Sequence, residues 1–271
     1  MPVAPRLPWP SALWLVRHGE SRGNVADRRA HEQGAGTIDL DARDADVELS
    51  DRGRAQAEAL GRWLRDLPEQ RRPDLALASP YSRASDTARV ALEASGLGLA
   101  LRHDERLRER DLGVLDGLTG TGIRERLPEE AARRSELGKF YYRPPGGESW
   151  CDLALRLRSV LLTLREEHAD ERLLVVTHQA VIMVFRYVLE GLSEHELLDV
   201  DAAVQLGNAA VTRYERGEDG RLHLEAFDDR EPVAGAGTSE EPDEEVPSDA
   251  AGGGAPTRHG TDGDGDAEGR P

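Results

Sequence analysis

A single cysteine, Cys151, stands among the 271 residues, so no disulfide can form within the chain, and no metal-ligand spacing surrounds it. No apolar run approaches the roughly 20 residues that a membrane-spanning helix needs. The proline-rich stretch Met1–Pro10 lacks the apolar segment of a secretory signal, so a cytoplasmic location is expected. Basic charge is also scarce: 35 lysines and arginines face 52 carboxylates, a net of −17. With no basic stripe to break that excess, neither nucleic acid nor a membrane surface is an expected partner. Internal repeats and a phosphate-cradling P-loop are missing as well. An anionic ligand would have to be drawn in by local arginines against the overall field.

Much of the acidity sits at one end. Residues 231–271 carry eleven carboxylates against two arginines, with few aliphatic side chains and no aromatic one. Such a segment cannot bury enough surface to offset its ordering entropy and reads as a disordered acidic tail. Its Asp-Gly repeats lack the apolar frame and terminal glutamate of a calcium loop. The expected organisation is an N-terminal extension over 1–11, one domain over 12–230 and the tail over 231–271.

Within the domain, strand and helix signals alternate in the α/β manner. Strands are expected at 13–16, 74–79, 99–102 and 173–177, with a closing antiparallel hairpin at 209–216 and 221–227. Helices are expected near 51–66 behind the cap Ser50, from Pro80 to 94, at 121–138, at 152–167 and at 180–189. The polar stretch 27–47 reads as a long surface loop or lid.

The chemistry gathers at strand ends. Arg17-His18-Gly19-Glu20 follows the apolar run Leu13-Trp14-Leu15-Val16, and His178 follows Leu173-Leu174-Val175-Val176-Thr177. In open α/β sheets ligands bind at the carboxyl ends of strands. An imidazole is a competent nucleophile near neutral pH, and a guanidinium is a permanent planar cation suited to phosphate oxygens. Arg83, in the first turn of a helix after Ser79-Pro80, sits where backbone amides already favour anions. Glu109, in a loop after a strand, could protonate a leaving oxygen, as could Glu105 or Asp111 on sequence alone.

These stretches carry a family resemblance. Arg17-His18-Gly19-Glu20-Ser21 with Asn24, Ser79-Pro80 through Arg83 to Thr87-Ala88, Glu109 with Gly113, Gly147-Glu148-Ser149 and Val175-Val176-Thr177-His178 stand in this order across residues 12–216. The pattern resembles the histidine phosphatase superfamily, the phosphoglycerate mutase-like proteins. That resemblance implies a three-layer α/β/α sandwich with a mostly parallel central sheet and a phosphohistidine formed on His18. It further implies that Arg17, Arg83, Asn24 and His178 hold the transferring phosphoryl group, with Ser21 beside them, and that Glu109 is the proton donor. Two guanidiniums and a second imidazole can supply the positive charge a metal ion would bring, so neither metal nor cofactor is expected.

A narrower similarity covers Arg126-Leu127-Pro128-Glu129-Glu130, Tyr142-Arg143-Pro144-Pro145-Gly146-Gly147-Glu148-Ser149 and His178-Gln179-Ala180-Val181. It points to the fructose-2,6-bisphosphatase domain of the bifunctional kinase/bisphosphatase, and by it Arg134, Lys139 and Gln179 match the residues that hold the distal phosphate. The pattern departs at Gly120, Trp150 and Met183, where that domain has tyrosine, tyrosine and arginine. The expected activity is hydrolysis of a small phosphate monoester, and the expected partner is a small phosphorylated metabolite. A homodimer, a mutase-type phosphotransfer and a non-catalytic phospholigand-binding role stay open as alternatives. Arg133-Arg134 keeps the mutase in view.

Overall fold

A computed structural model describes residues 8–237. Residues 1–7 of the expected N-terminal extension, and all of the expected tail beyond 237, lie outside the described residues. The chain alternates strand and helix in the order β1 (Ala12–Arg17), α1 (Arg22–Glu32), α2 (Asp51–Asp66), β2 (Leu75–Ala78), α3 (Ser82–Ser95) and β3 (Leu101–His103). There follow α4 (Gly120–Arg126), α5 (Pro128–Tyr141), α6 (Trp150–Glu167), β4 (Arg172–Thr177), α7 (Gln179–Glu190), α8 (Glu194–Ala203), β5 (Val211–Arg216) and β6 (Leu222–Asp229).

The strands form one sheet in the order β3-β2-β4-β1-β5-β6. The first three pairings are parallel and the last two antiparallel. β1 and β4 lie at its centre, which is why Ala12–Val16 and Leu173–Val176 within them are apolar throughout instead of alternating. Leu13 and Leu15 of β1 with Leu173 and Val175 of β4 face a core built against α6 and α7. Trp14 and Val16 with Leu174 and Val176 face the opposite core, closed by Leu60 and Leu64 of α2 and by Ala84, Ala88 and Ala91 of α3. A period-2 backbone thus feeds two helical layers, and the expected α/β/α sandwich is observed.

Four elements differ from the sequence expectation. The stretch read as a loop from residue 27 begins inside α1, which Ser21 and Asn24 start through a reciprocal capping box. The loop proper runs from 33 to 50 and contains a 3-10 turn at Asp44–Asp46. The single helix expected at 121–138 is two, because Pro128 opens a new helix at its first position. α8 was not anticipated, although its Ser193 and Glu196 form a capping box that was legible in the sequence. Glu231–Ala236, expected within the tail, forms a 3-10 turn whose Val233 is buried in the α2–α3 core.

One close approach governs the exit from β1. The carbonyl of Glu20 accepts from Ser50 N–H at 2.9 Å, and a Cβ on Gly53 would come within 1.9 Å of that carbonyl oxygen. The oxygen is backbone and a Cβ has no rotamer of its own, so no side-chain rotation can relieve the clash. Gly53→Ala should therefore lower stability by about 1–3 kcal/mol, read as a fall in the urea midpoint at unchanged m-value.

Candidate active site

His18 is the first residue past β1, and the register Arg17 opposite Thr177 places His178 beside it at the end of β4. The His18 N–H donates to the Thr177 carbonyl at 2.9 Å, and its own carbonyl accepts from Ala209 N–H at 3.2 Å. Its Nδ1 lies 2.8 Å from the Gly19 carbonyl oxygen. A carbonyl only accepts, so Nδ1 carries the proton and Nε2 keeps the lone pair. Burial, reinforced by Arg83 and Arg17, pushes the His18 pKa well below the usual 6.5. The imidazole is therefore neutral, the nucleophilic form.

His178 is fully buried, with its ring centroid 5.2 Å from that of His18. Its Nε2 lies 2.8 Å from Ser79 Oγ, which already accepts Tyr81 N–H at 3.2 Å. Ser79 keeps its hydroxyl proton and can donate it to Nε2; in that tautomer the His178 proton sits on Nδ1. Nδ1 is buried and has no hydrogen-bond partner among the described residues. Orphaned buried donors are uncommon, and this one marks a position for an acceptor that the protein does not itself supply. Burial lowers the pKa of His178 too, helped by Arg83, His18, Arg156 and Arg17.

Two arginines flank the pair. Arg17 is fully buried and donates from Nη1 to the Leu206 carbonyl. Arg83 sits in the first turn of α3, where Thr87 Oγ donates to its carbonyl at 2.6 Å and accepts Gly19 N–H at 2.9 Å. One hydroxyl thus ties the His18 loop to the Arg83 helix. The Arg83 guanidinium is held by Asp44, through the backbone carbonyl at 2.6 Å and the carboxylate at 2.8 Å. An incoming anion must share or displace that carboxylate.

Asn24 is buried, and its side-chain oxygen accepts from Ser21 N–H at 2.8 Å and from Asn208 Nδ2 at 3.2 Å. Those donors fix the amide orientation and leave its NH2 for the cavity that Asn24 lines. Ser21 lines the cavity as well, but its hydroxyl is engaged in capping α1, accepting from Asn24 N–H at 3.1 Å.

Glu109 Oε2 stands 3.8 Å from His178 Nδ1, and Oε1 accepts Arg110 N–H at 2.8 Å. The loop is positioned by Glu148. Its carboxylate takes Arg156 at 2.9 and 2.8 Å and Arg108 at 2.9 Å, while Glu148 N–H donates to the Asp111 carbonyl at 2.8 Å. Burial, the largest single influence, opposes ionisation of Glu148, but Arg156 through hydrogen bonds and charge, the Asp111 amide and Arg108 together outweigh it and its pKa falls below the usual value. Arg156 Nη2 also donates to the Glu109 carbonyl at 3.0 Å. The Gly147-Glu148-Ser149 motif therefore acts at a distance, by holding the Glu109 loop.

Of these groups, His18, Asn24, Arg83 and Glu109 line a cavity of about 550 Å³, while the fully buried Arg17 and His178 are not among its lining residues. Of the three residues matched to a distal phosphate, Lys139 and Gln179 line it. Among the described residues forming the wall, Arg134 is not included; it lies on α5, where its charge acts on Tyr142. Lys139 is bound to the buried Asp201 at 2.6 Å. Sequence reasoning missed Asp44, Asp201 and Asn208, which come from distant loops and helices with no local pattern. Ser79 stood within a recognised motif, yet nothing adjacent to it announced its contact with His178.

Comparison with known proteins agrees with this geometry. The pattern of the histidine phosphatase superfamily (branch 1) matches residues 13–229. A Gallus gallus 6-phosphofructo-2-kinase/fructose-2,6-bisphosphatase is 35% identical over 186 residues, which cover 68% of this chain and 34% of that one. The human form 3 is 34% identical over the same length, covering 68% and 31%. The chain thus spans about a third of the length of these curated relatives. A mycobacterial glucosyl-3-phosphoglycerate phosphatase solved with VO3 has a TM-score of 0.63 and 30% identity, with 81% of this chain and 99% of that chain covered. A putative alpha-ribazole-5'-P phosphatase from Escherichia coli has a TM-score of 0.66 over 82% and 97% of the two chains. At 22% identity it speaks for the fold alone.

Two outcomes follow from the electrostatics. Asp44→Ala removes the carboxylate from Arg83 while keeping the backbone carbonyl contact, and should tighten binding of inorganic phosphate by about 3–10-fold in calorimetric titration, as expected for loss of a competing anion. Both histidines have folded pKa values below 6.5, so unfolding takes up protons under acidic conditions. Their neutral burial costs nothing above about pH 6.5, and stability is lost as pH falls from there toward the depressed folded values. Denaturant midpoints in phosphate-free buffer should show that decline, and His18→Asn should make it shallower.

Proposed function

The chain belongs to the histidine phosphatase superfamily (branch 1), and from that premise we propose that it hydrolyses a small phosphate monoester through a phosphohistidine on His18. The observation that carries the reading is the pair of neutral imidazoles. One holds an available lone pair and the other a buried N–H without a partner among the described residues, with Arg17 and Arg83 beside them.

In this reading His18 Nε2 attacks phosphorus and the bond from phosphorus to the ester oxygen breaks. Arg17, Arg83, the Asn24 amide and His178 Nδ1–H receive the phosphoryl oxygens, donors already in position where negative charge develops. The Glu109 carboxyl gives its proton to the departing alkoxide. Water then attacks the phosphohistidine, Glu109 takes that proton back, and inorganic phosphate leaves with His18 neutral again. Splitting the hydrolysis in two lets one buried nucleophile do what bulk water does slowly.

Turnover of p-nitrophenyl phosphate, followed as release of inorganic phosphate, tests the reading. His18→Ala should reduce it by at least about 10³-fold; near-normal activity in that variant would sink the covalent route. Glu109→Gln should cost about 10²-fold or more on an alkyl phosphate and much less on the aryl ester, whose phenolate departs without a proton. Equal losses on both esters would remove Glu109 from the proton-donor role. Isomerisation of a phosphoester without phosphate release would indicate a mutase.

A further inference from the structure

Resting on the phosphate-ester reading, we infer that the substrate carries a single anionic group, the phosphate to be removed, and that its remaining part is an uncharged, hydroxyl-bearing group of sugar or polyol type.

The cavity of about 550 Å³ falls within the roughly 300–1,000 Å³ of pockets that enclose a whole small molecule, so it takes in far more than a phosphoryl group. Beside His18 the wall carries Arg83. Elsewhere it bears Asp27, Asp111, Asp116 and Asp201 against Arg110, Lys139 and His31, the last 3.1 Å from Asp27. Lys139 is committed: its ammonium lies 2.6 Å from Asp201, with side-chain exposures of 18% and 4% for the two partners. It also lies 5.7 Å from the centre of the Trp150 ring. Arg110 is drawn toward the Glu148 carbonyl at 3.4 Å.

A second phosphate or a carboxylate entering this half would meet more carboxylates than cations, in a chain that is already acidic. It would also have to compete with Asp201 for Lys139. Hydroxyl groups face no such penalty, because carboxylates accept from them and the Gln179 amide on the wall can both donate to and accept from them. The rest of the wall comprises Ile38, Leu40, Val47, Leu112 and Leu118 with Trp150, which suits the carbon face of a ring. Lys139 and Gln179 therefore serve a neutral tail, with Asp201 the residue that withdraws Lys139 from anions.

Matched esters test this. Glycerol 3-phosphate should exceed 3-phosphoglycerate in kcat/KM by about tenfold or more, as should glucose 1-phosphate over glucose 1,6-bisphosphate, with the difference mainly in KM. Asp201→Asn releases Lys139 and should narrow both gaps severalfold by lowering KM for the more anionic member. Equal or better handling of the anionic members overturns the inference, and so do gaps that Asp201→Asn leaves unchanged. Calorimetric binding of the same four esters to the His18→Asn protein reads the preference without turnover. If none of these esters nor p-nitrophenyl phosphate is hydrolysed by the wild type, the hydrolase reading fails while the binding preference still decides the tail.

Discussion

The parallel, in-register pairing of β1 with β4 is the constraint on which the site depends. It carries two residues 160 positions apart in the chain to neighbouring strand ends, because Arg17 sits opposite Thr177. One slip of the register would flip every β4 side chain to the other face and separate the imidazoles. The register is held by burial on both faces: each of the two cores takes alternate residues from the same two strands. Packing that stabilises the sheet therefore also sets the distance between His18 and His178.

Around that pair the molecule works against its own charge. The described chain offers a phosphate an acidic surface, and the attraction is made locally by cations held in low-dielectric surroundings, where charge counts for more. The same burial, with Arg17 and Arg83 nearby, holds both imidazoles toward the neutral form, so the site does not gather a third and fourth cation. Carboxylates then restrain the arrangement. Asp44 occupies Arg83, Asp201 occupies Lys139, and Glu148 gathers Arg108 and Arg156 to steady the Glu109 loop. Each pairing lowers the electrostatic cost of assembling cations, and each sets a condition on what ligand can enter.

Much of this was legible residue by residue. The apolar runs ending at Arg17 and Thr177 announced central strands, and Ser50 announced α2. The order of the motifs gave the family and the layered fold. Helices with weak amphipathic character escaped: α1 and α8 bury little, and their capping boxes were the only local sign. Arg134, matched by similarity of sequence to a phosphate contact, lies on α5 near Tyr142 and is not among the described residues that line the cavity.

What the sequence by itself determined is the chemistry at the reacting end. His18, Arg17, Arg83 and His178 each sit next to a strand or helix terminus, and the physics that forms that terminus also aims the side chain. What only the tertiary structure decided is the partnership of each charge. Whether Lys139 meets a ligand or Asp201, and whether Arg83 is reached past Asp44, depends on residues 62 and 39 positions away in the chain. Electrostatic energy follows distance in space, and no spacing along the chain encodes it.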